Sequence, residues 1–471
     1  MFRKSVKHLV GLWLAHLLVA SAHLQGAPTV LPVGRFDFVD NTGSGARELS
    51  GITWLGGNRY LAVNDESSIV HPMTIHVDAN TGAISSAQID PAGIWLRDAN
   101  GLPLTGTDLE GIVSDGQRLW VSNESGPRIT MHDQTTGIQQ QLLTTSSHPT
   151  LGVFQNIVAN RSWESLTRRV DGSQIWTANE EALTVDGPPA TTTLGTVVRL
   201  QQFDGNLNPT RQWAYRTEPI PGSVGSGQER SGVADMLALD DGNLLVMERG
   251  LGLGFRIGLY LVQGATATDV SQPPFQSGLI GKTYTAATKV PLWASTFPNT
   301  TSNFEGATLG PTLADGSRSI ILVRDNGSGS SHSLFALRLI QDPPVAVHWQ
   351  DSISGYWTDA ARWSTAAVPQ NGAPVGTRYD VIMDAVGGAY EVVLNTTINV
   401  RQLSLQTGIL TGEGTLVGDV TNAAVVSPGG AAVATLSLMV PEPSASALLT
   451  FGVAMLMRGR VKYMRRPGSG S

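Results

Sequence analysis

The sequence predicts an all-β chain, a five- or six-bladed β-propeller followed by a small β-helix or β-roll module. Three observations carry that expectation. One pattern of short strand, tight turn and returning strand occurs five times between residues 48 and 325. The 53 Gly and 25 Pro in 471 residues follow no collagen-like period, so they supply turns for many short strands. Beyond residue 346 the pattern shifts to shorter apolar segments with Gly at the corners, the texture of stacked coils.

From the N-terminus, the elements run as follows. Arg3, Lys4 and Lys7 precede an apolar run from Leu9 to Ala20, and Ala20-Ser21-Ala22 offers small residues for cleavage. This reads as a secretory signal over 1–22 and predicts export. The propeller is expected over 29–341. Its copies open at Glu48-Leu-Ser-Gly51, Asp108-Leu-Glu110-Gly111, Trp163-Glu164-Ser165, Ala234-Asp235-Met236 and Phe304-Glu305-Gly306. They turn at Gly56-Gly57, Asp115-Gly116, Asp171-Gly172, Asp241-Gly242 and Asp315-Gly316, dipeptides that favour tight hairpins. They return to Asp65, Glu124, Glu180, Glu248-Arg249 and Arg324-Asp325. Four-stranded units of this kind close into a ring that hides sheet edges. A sixth, divergent blade has room in 181–230 or 251–302, and a strand around Val33–Val39 is placed to complete the last blade.

A second, β-rich region is expected over 346–439. Trp349, Trp357 and Trp363 open it, and Tyr390–Leu394, Ile398–Val400, Leu403–Leu405 and Leu416-Val417 follow as short strands. With few charges and no cluster of His, Asp and Glu, it reads as a spacer or matrix-binding stalk. The last segment, 440–466, holds Pro441-Glu442-Pro443, an apolar run to Met457, and Arg458, Arg460, Lys462, Arg465 and Arg466. Apolar then basic order suits a short membrane segment with its cationic end inside. The three parts together resemble the PEP-CTERM sorting signal. That resemblance implies an exosortase-type processing enzyme as partner, membrane passage through this segment, and a bacterial cell-envelope, cell-surface or extracellular-matrix destination. The β-rich region likewise resembles the β-helix modules that precede such signals.

Composition narrows the chemistry. The formal net charge of −7 argues against nucleic acid as a partner. No Cys is present, which excludes disulfides, thiol nucleophiles and Cys-bound metals. No Gly-x-Ser-x-Gly elbow and no His-Glu-x-x-His occurs. Carboxylates and arginines remain. If the innermost strands line the axis, Glu48, Glu110, Glu164, Asp235 and Glu305 converge at one mouth. Gathered carboxylates repel one another unless a cation lies among them, and Ca²⁺ accepts six to eight oxygen ligands in loose geometry. The other reading is that each acid caps its own blade through backbone amides.

At Asp108-Leu-Glu-Gly-Ile112, Trp120-Val-Ser-Asn-Glu124, Asn160-Arg-Ser-Trp-Glu164, Val233-Ala-Asp-Met236 with Glu248-Arg249, and Asn303-Phe-Glu-Gly-Ala307, the chain resembles the phytase-like family (esterase-like activity of phytase). The resemblance spans about 46–340 and departs at Ser165, where Gly is usual, and at Arg324, where a smaller residue is common. It implies a propeller with a hydrolase-like activity on an ester or phosphoester. The residues then suggest metal-assisted hydrolysis. A cation shared by Glu110, Glu164 and Glu305 polarises the substrate, Glu124 or Glu180 acts as general base, and Arg249 or Arg324 binds an anionic group. Ion pairs to nearby acids are the alternative for both arginines. A non-catalytic propeller that binds matrix polysaccharide or another ligand is the alternative for the whole chain.

Overall fold

Each of the five repeats folds into one antiparallel sheet whose opening strand lies innermost. In the computed structural model, which describes residues 28–297, 302–428, 437–439 and 462–463, the first blade comprises Leu49–Gly56, Arg59–Asn64, Ile69–Val77 and Ile84–Ile89. The second comprises Leu109–Ser114, Arg118–Asn123, Arg128–Asp133 and Gln139–Thr144. The third comprises Trp163–Arg168, Gln174–Asn179, Val197–Asp204 and Pro209–Arg216. The fourth comprises Arg230–Ala238, Leu244–Leu251, Phe255–Gln263 and Thr288–Phe297. Phe304–Thr312, Arg318–Arg324 and Ser331–Ile340 make the fifth, and Thr29–Val39 completes it by pairing antiparallel with Ser331–Ile340, Val39 opposite Ser331. The expected latch therefore forms. There are five blades, because the long intervals after 181 and 251 are filled by the outer strands and loops of the third and fourth blades.

Burial explains why the inner strands read as continuous apolar runs instead of alternating ones. Leu109–Ser114 is buried at every position, since one face meets the preceding blade and the other the following one. The outermost Thr29–Val39 is mostly exposed or half-buried. Apolar clusters fill the wedges between neighbouring blades. Trp120, Trp163 and Leu166 join the second to the third, and Leu245, Leu259, Phe304 and Leu322 join the fourth to the fifth. The inner strands stand side by side in a closed ring. At three of the five inner strands a Gly shortly after the opening acid allows the close approach. A Cβ at Gly51 would run into the Glu110 carbonyl, one at Gly111 into the Leu166 amide, and one at Gly306 into the Ser50 carbonyl.

The second module is a parallel two-sheet coil. Val345–His348, Tyr379–Met383, Thr397–Leu405 and Thr415–Asn422 stack in one sheet, and Gly355–Tyr356, Glu391–Val393, Ile409–Gly412 and Val425–Pro428 in the other. The chain alternates between the two, as a β-helix does, around Trp349, Trp357, Trp363 and Tyr390. It does not hang free as a simple spacer. Arg169 donates to the carbonyls of Asp240, at 2.9 Å, and Asn371, while Gly376 N donates to Asp241 O at 2.8 Å and Gln341 reaches Asp241 Oδ2 at 3.3 Å. These contacts seat the module on the hairpin tips of the third and fourth blades.

The expected signal at 1–22 lies outside the described residues, as does the sorting segment 440–466 apart from Lys462 and Tyr463. Among the described residues no helix is long and apolar enough to cross a membrane.

Candidate functional site

A hairpin brings its two free ends together, so the acid that opens an inner strand and the acid that ends the returning strand meet at one end of the propeller. Backbone bonds fasten these ends: Asp65 N to Glu48 O at 3.4 Å, Glu124 N to Asp108 O at 2.9 Å, Glu180 N to Ser162 O at 2.8 Å and Asp325 N to Asn303 O at 2.8 Å. The tight turns lie at the other end.

Two carboxylate triplets result. Asp108, Glu110 and Glu124 each offer an oxygen within 4.8 Å of the others, and so do Glu124, Glu164 and Glu180. Glu124 belongs to both. All but Asp108 are buried. Two like charges at about 4 Å repel by about 4 kcal/mol at an effective dielectric near 20. The protein answers this in two ways.

One answer is protonation. Burial, then the charge of Glu124, holds the Glu110 carboxyl well above the usual range, and burial, then Glu110, does the same to Glu164. Glu124 is pushed up to about 7 by burial and by Glu180, and Asp65 to about 7 by burial and by Glu48. The other answer is Arg249. Its Nη2 lies 2.7 Å from Glu180 Oε1 and 3.7 Å from Glu164 Oε1, and its Nη1 pairs with Glu305 and reaches Asn303 Oδ1 at 3.0 Å. Arg161 adds contacts to Glu180 at 3.4 Å and Glu181 at 2.8 Å.

The expected residues divide accordingly. Glu110, Glu124, Glu164, Glu180, Glu305 and Arg249 meet at the mouth. Glu110, Glu164 and Glu305 do not form one ligand set, because Glu305 is taken by Arg249 and by Asn303 Nδ2 at 2.9 Å. Glu48 sits in a left-handed conformation (φ 46°) on the rim between the first and fifth blades, where burial and then Glu66 raise its carboxyl. Its N–H donates to Asn326 Oδ1 at 2.8 Å. Asp235 departs from the expected ligand ring. Its oxygens accept the amides of Met236 at 2.8 Å and Ala307 at 2.7 Å, so it ties the fourth blade to the fifth as the capping alternative holds. Arg324 also departs: its guanidinium donates to Ser331 O at 2.7 Å on the outer side of its blade, close to Arg35 and Asp37. Arg249 follows the ion-pair alternative, its donors engaged by acids.

Asp108, Asn303 and Arg161 were absent from the expected set. Asp108 immediately precedes the strand Leu109–Ser114 and stands two residues before Glu110, and that spacing was the available signal. Glu248 turns away from the mouth, accepting Tyr215 Oη at 2.5 Å, Glu218 N at 2.7 Å and Lys289 Nζ at 2.5 Å.

The model of the phytase-like family, described as the esterase-like activity of phytase, matches residues 44–327. No curated protein gave a match. Among solved structures, glutaminyl cyclase of Myxococcus xanthus aligns at 9% identity over 67% of this chain and 98% of its own, with a TM-score of 0.30. The aldose sugar dehydrogenase of Streptomyces coelicolor aligns at 14% over 66% and 99%, with a TM-score of 0.30. The arabinofuranosidase PaAbf62A of Podospora anserina aligns at 9% over 68% and 96%, with a TM-score of 0.33. Similarity this remote speaks to no activity of the chain.

Proposed function

This chain belongs to the phytase-like family, and on that premise we propose that it is a hydrolase of esters or phosphoesters whose reaction centre is the acid-lined mouth of the propeller. The observation that carries the reading is the meeting of Glu110, Glu124, Glu164 and Glu180 with Arg249 at one buried end of the ring. Concave sites with carboxylates displaced from their usual proton affinity are where proton transfer is most easily run near neutral pH.

The residues fit a hard divalent cation. Their donors are all oxygen, and two sets of three lie within reach of one ion. Calcium, when bound, would polarise a carbonyl or phosphoryl oxygen and acidify a bound water. The chain itself supplies the rest. Arg249 holds Glu180 and Glu305 in place, and with its donors engaged it is a counter-ion to the acids instead of an arm for the substrate. Glu124 has one oxygen committed to the Ser162 amide at 2.7 Å and Glu180 is held by three arginines, Arg249 at 2.7 Å, Arg161 at 3.4 Å and Arg230 at 3.9 Å. Glu164 is therefore the best-placed group for proton transfer, since burial and then Glu110 favour its protonated form and, among the described residues, its one ion-pair partner is Arg249 at 3.7 Å. The surplus of carboxylates favours a neutral ester over an anionic phosphoester, unless the phosphoester arrives with its own cation.

The test is turnover of a p-nitrophenyl ester and of p-nitrophenyl phosphate by the purified protein, in calcium and in chelator. Expected are calcium-dependent ester hydrolysis and a fall of at least a hundredfold in kcat for Glu164→Gln. A calcium-dependent rise in Tm without turnover of either substrate would favour a non-catalytic binding propeller. The reading includes export and surface sorting through 440–466, supported by the order of Pro-Glu-Pro, apolar run and arginines. Deleting 441–471 is expected to release the protein to the medium; unchanged retention on cells would count against it.

A further inference from the structure

We infer that one calcium-like ion is held by Asp108, Glu110 and Glu124, on the second blade and off the propeller axis. This deepens the cation reading above and rests on it. The two triplets share Glu124 but differ in what neutralises them. The Glu124–Glu164–Glu180 set already contains its counter-charges, Arg249 at 2.7 Å from Glu180 and 3.7 Å from Glu164, and Arg161 at 3.4 Å from Glu180. A dication there would meet a resident guanidinium. Among the described residues no basic side chain forms an ion pair with Asp108, Glu110 or Glu124, although the charge of Arg249 reaches Glu110 and that of Arg161 reaches Glu124 from beyond pairing distance. Arg128, whose charge reaches Asp108, gives its donors to the carbonyls of Ser125 at 2.7 Å, Gly126 at 3.3 Å and Gly106 at 3.0 Å.

Glu110 points to a ligand independently of the clustering. It is 7% exposed, faces Asp108 and Glu124 within 4.8 Å, and accepts no hydrogen bond among the described residues. Its oxygens keep a little contact with solvent, so an ion entering from the mouth can reach them and supply the partner that no donor of the described residues gives. The frame is also built in advance. The Glu124 amide donates to Asp108 O at 2.9 Å, and Glu124 Oε1 is fixed by the Ser162 amide at 2.7 Å, which leaves Oε2 to the ion. Oxygen donors alone, with no imidazole or thiolate, suit calcium better than zinc or copper. In this arrangement Glu124 belongs to both triplets and the charge of Glu110 reaches Glu164, so the ion and the proton-transfer group are neighbours.

The experiment is calorimetric titration of the full chain with CaCl₂ after chelator treatment, with Tm in calcium and chelator as a second readout. One Ca²⁺ per chain is expected, with an affinity at least tenfold weaker in Asp108→Asn and, separately, in Glu110→Gln. Two variants keep the test decisive if one fails to fold. Glu305→Gln and Asp235→Asn should leave the affinity within about threefold. No calcium binding by the wild-type chain overturns the inference, and so does a loss in Glu305→Gln equal to that in Asp108→Asn. Asp108-dependent binding without turnover of either the ester or the phosphoester would leave this ion site standing and remove the hydrolase reading instead.

Discussion

Asp235 shows how one residue type serves two purposes in the same ring. At four blades the acid near the opening of the inner strand faces the mouth or its rim, whereas Asp235 accepts backbone amides of its own blade and the next. Replacing it with Ala removes both acceptors from buried donors and is expected to cost about 1–3 kcal/mol by urea denaturation. Asp235→Asn, which keeps one acceptor, should cost less, and in both variants the gain in Tm from calcium should persist. The mouth acids carry a different signature. Glu124 and Asp65 are held near 7 when folded but return to 4.5 and 3.8 when unfolded. Between those limits the folded chain keeps protons that the unfolded chain has released, so stability falls as pH rises. In chelator the Tm is expected to be higher at pH 5 than at pH 8, and calcium should raise it most at pH 8. Calorimetry at constant ionic strength checks this; a Tm in chelator that climbs from pH 5 to pH 8 would contradict it.

At the scale of the strand, the Gly that follows the acid matters as much as the acid. Gly111 lets the second inner strand approach the Leu166 amide, a neighbour that cannot swing aside as a side chain could. Gly111→Ala is expected to destabilise the chain by at least ~1–3 kcal/mol, the usual penalty of overpacking, read as a lower urea midpoint with an unchanged slope. The hairpins and their order were legible in the sequence, because Asp-Gly and Gly-Gly turns and apolar runs are local signals. Which carboxylates would share a site was only partly legible. Glu248 and Arg249 are adjacent, so they point to opposite sides of their strand. Only the tertiary arrangement, with a register shift between Val233 and Asp235, sends Arg249 to the mouth and Glu248 to Lys289 and Tyr215. Glu305 was drawn away from Glu110 by the same arginine. The composition of the ring could be read; the pairing of charges within it depended on which acid lay nearest Arg249.

For the molecule as a whole, closure depends on a strand far from the rest of its blade in sequence. Thr29–Val39 covers the edge of Ser331–Ile340. Deleting 28–39 is expected to leave that edge unpaired, lower the Tm by several degrees and promote self-association, seen by size-exclusion chromatography with light scattering. An unchanged Tm would mean that the fifth blade needs no fourth strand. The seating of the β-helix on the hairpin tips has a further result, because it makes the two ends of the ring inequivalent. Inner strands of about six residues put roughly 20 Å between those tips and the acids. If the sorting proposed for 440–466 holds, a tether joined through the C-terminal module would grip the protein at the end of the ring opposite the carboxylates. On that proposal the molecule would have a heading as well as a location, its acid-lined end turned toward the surroundings.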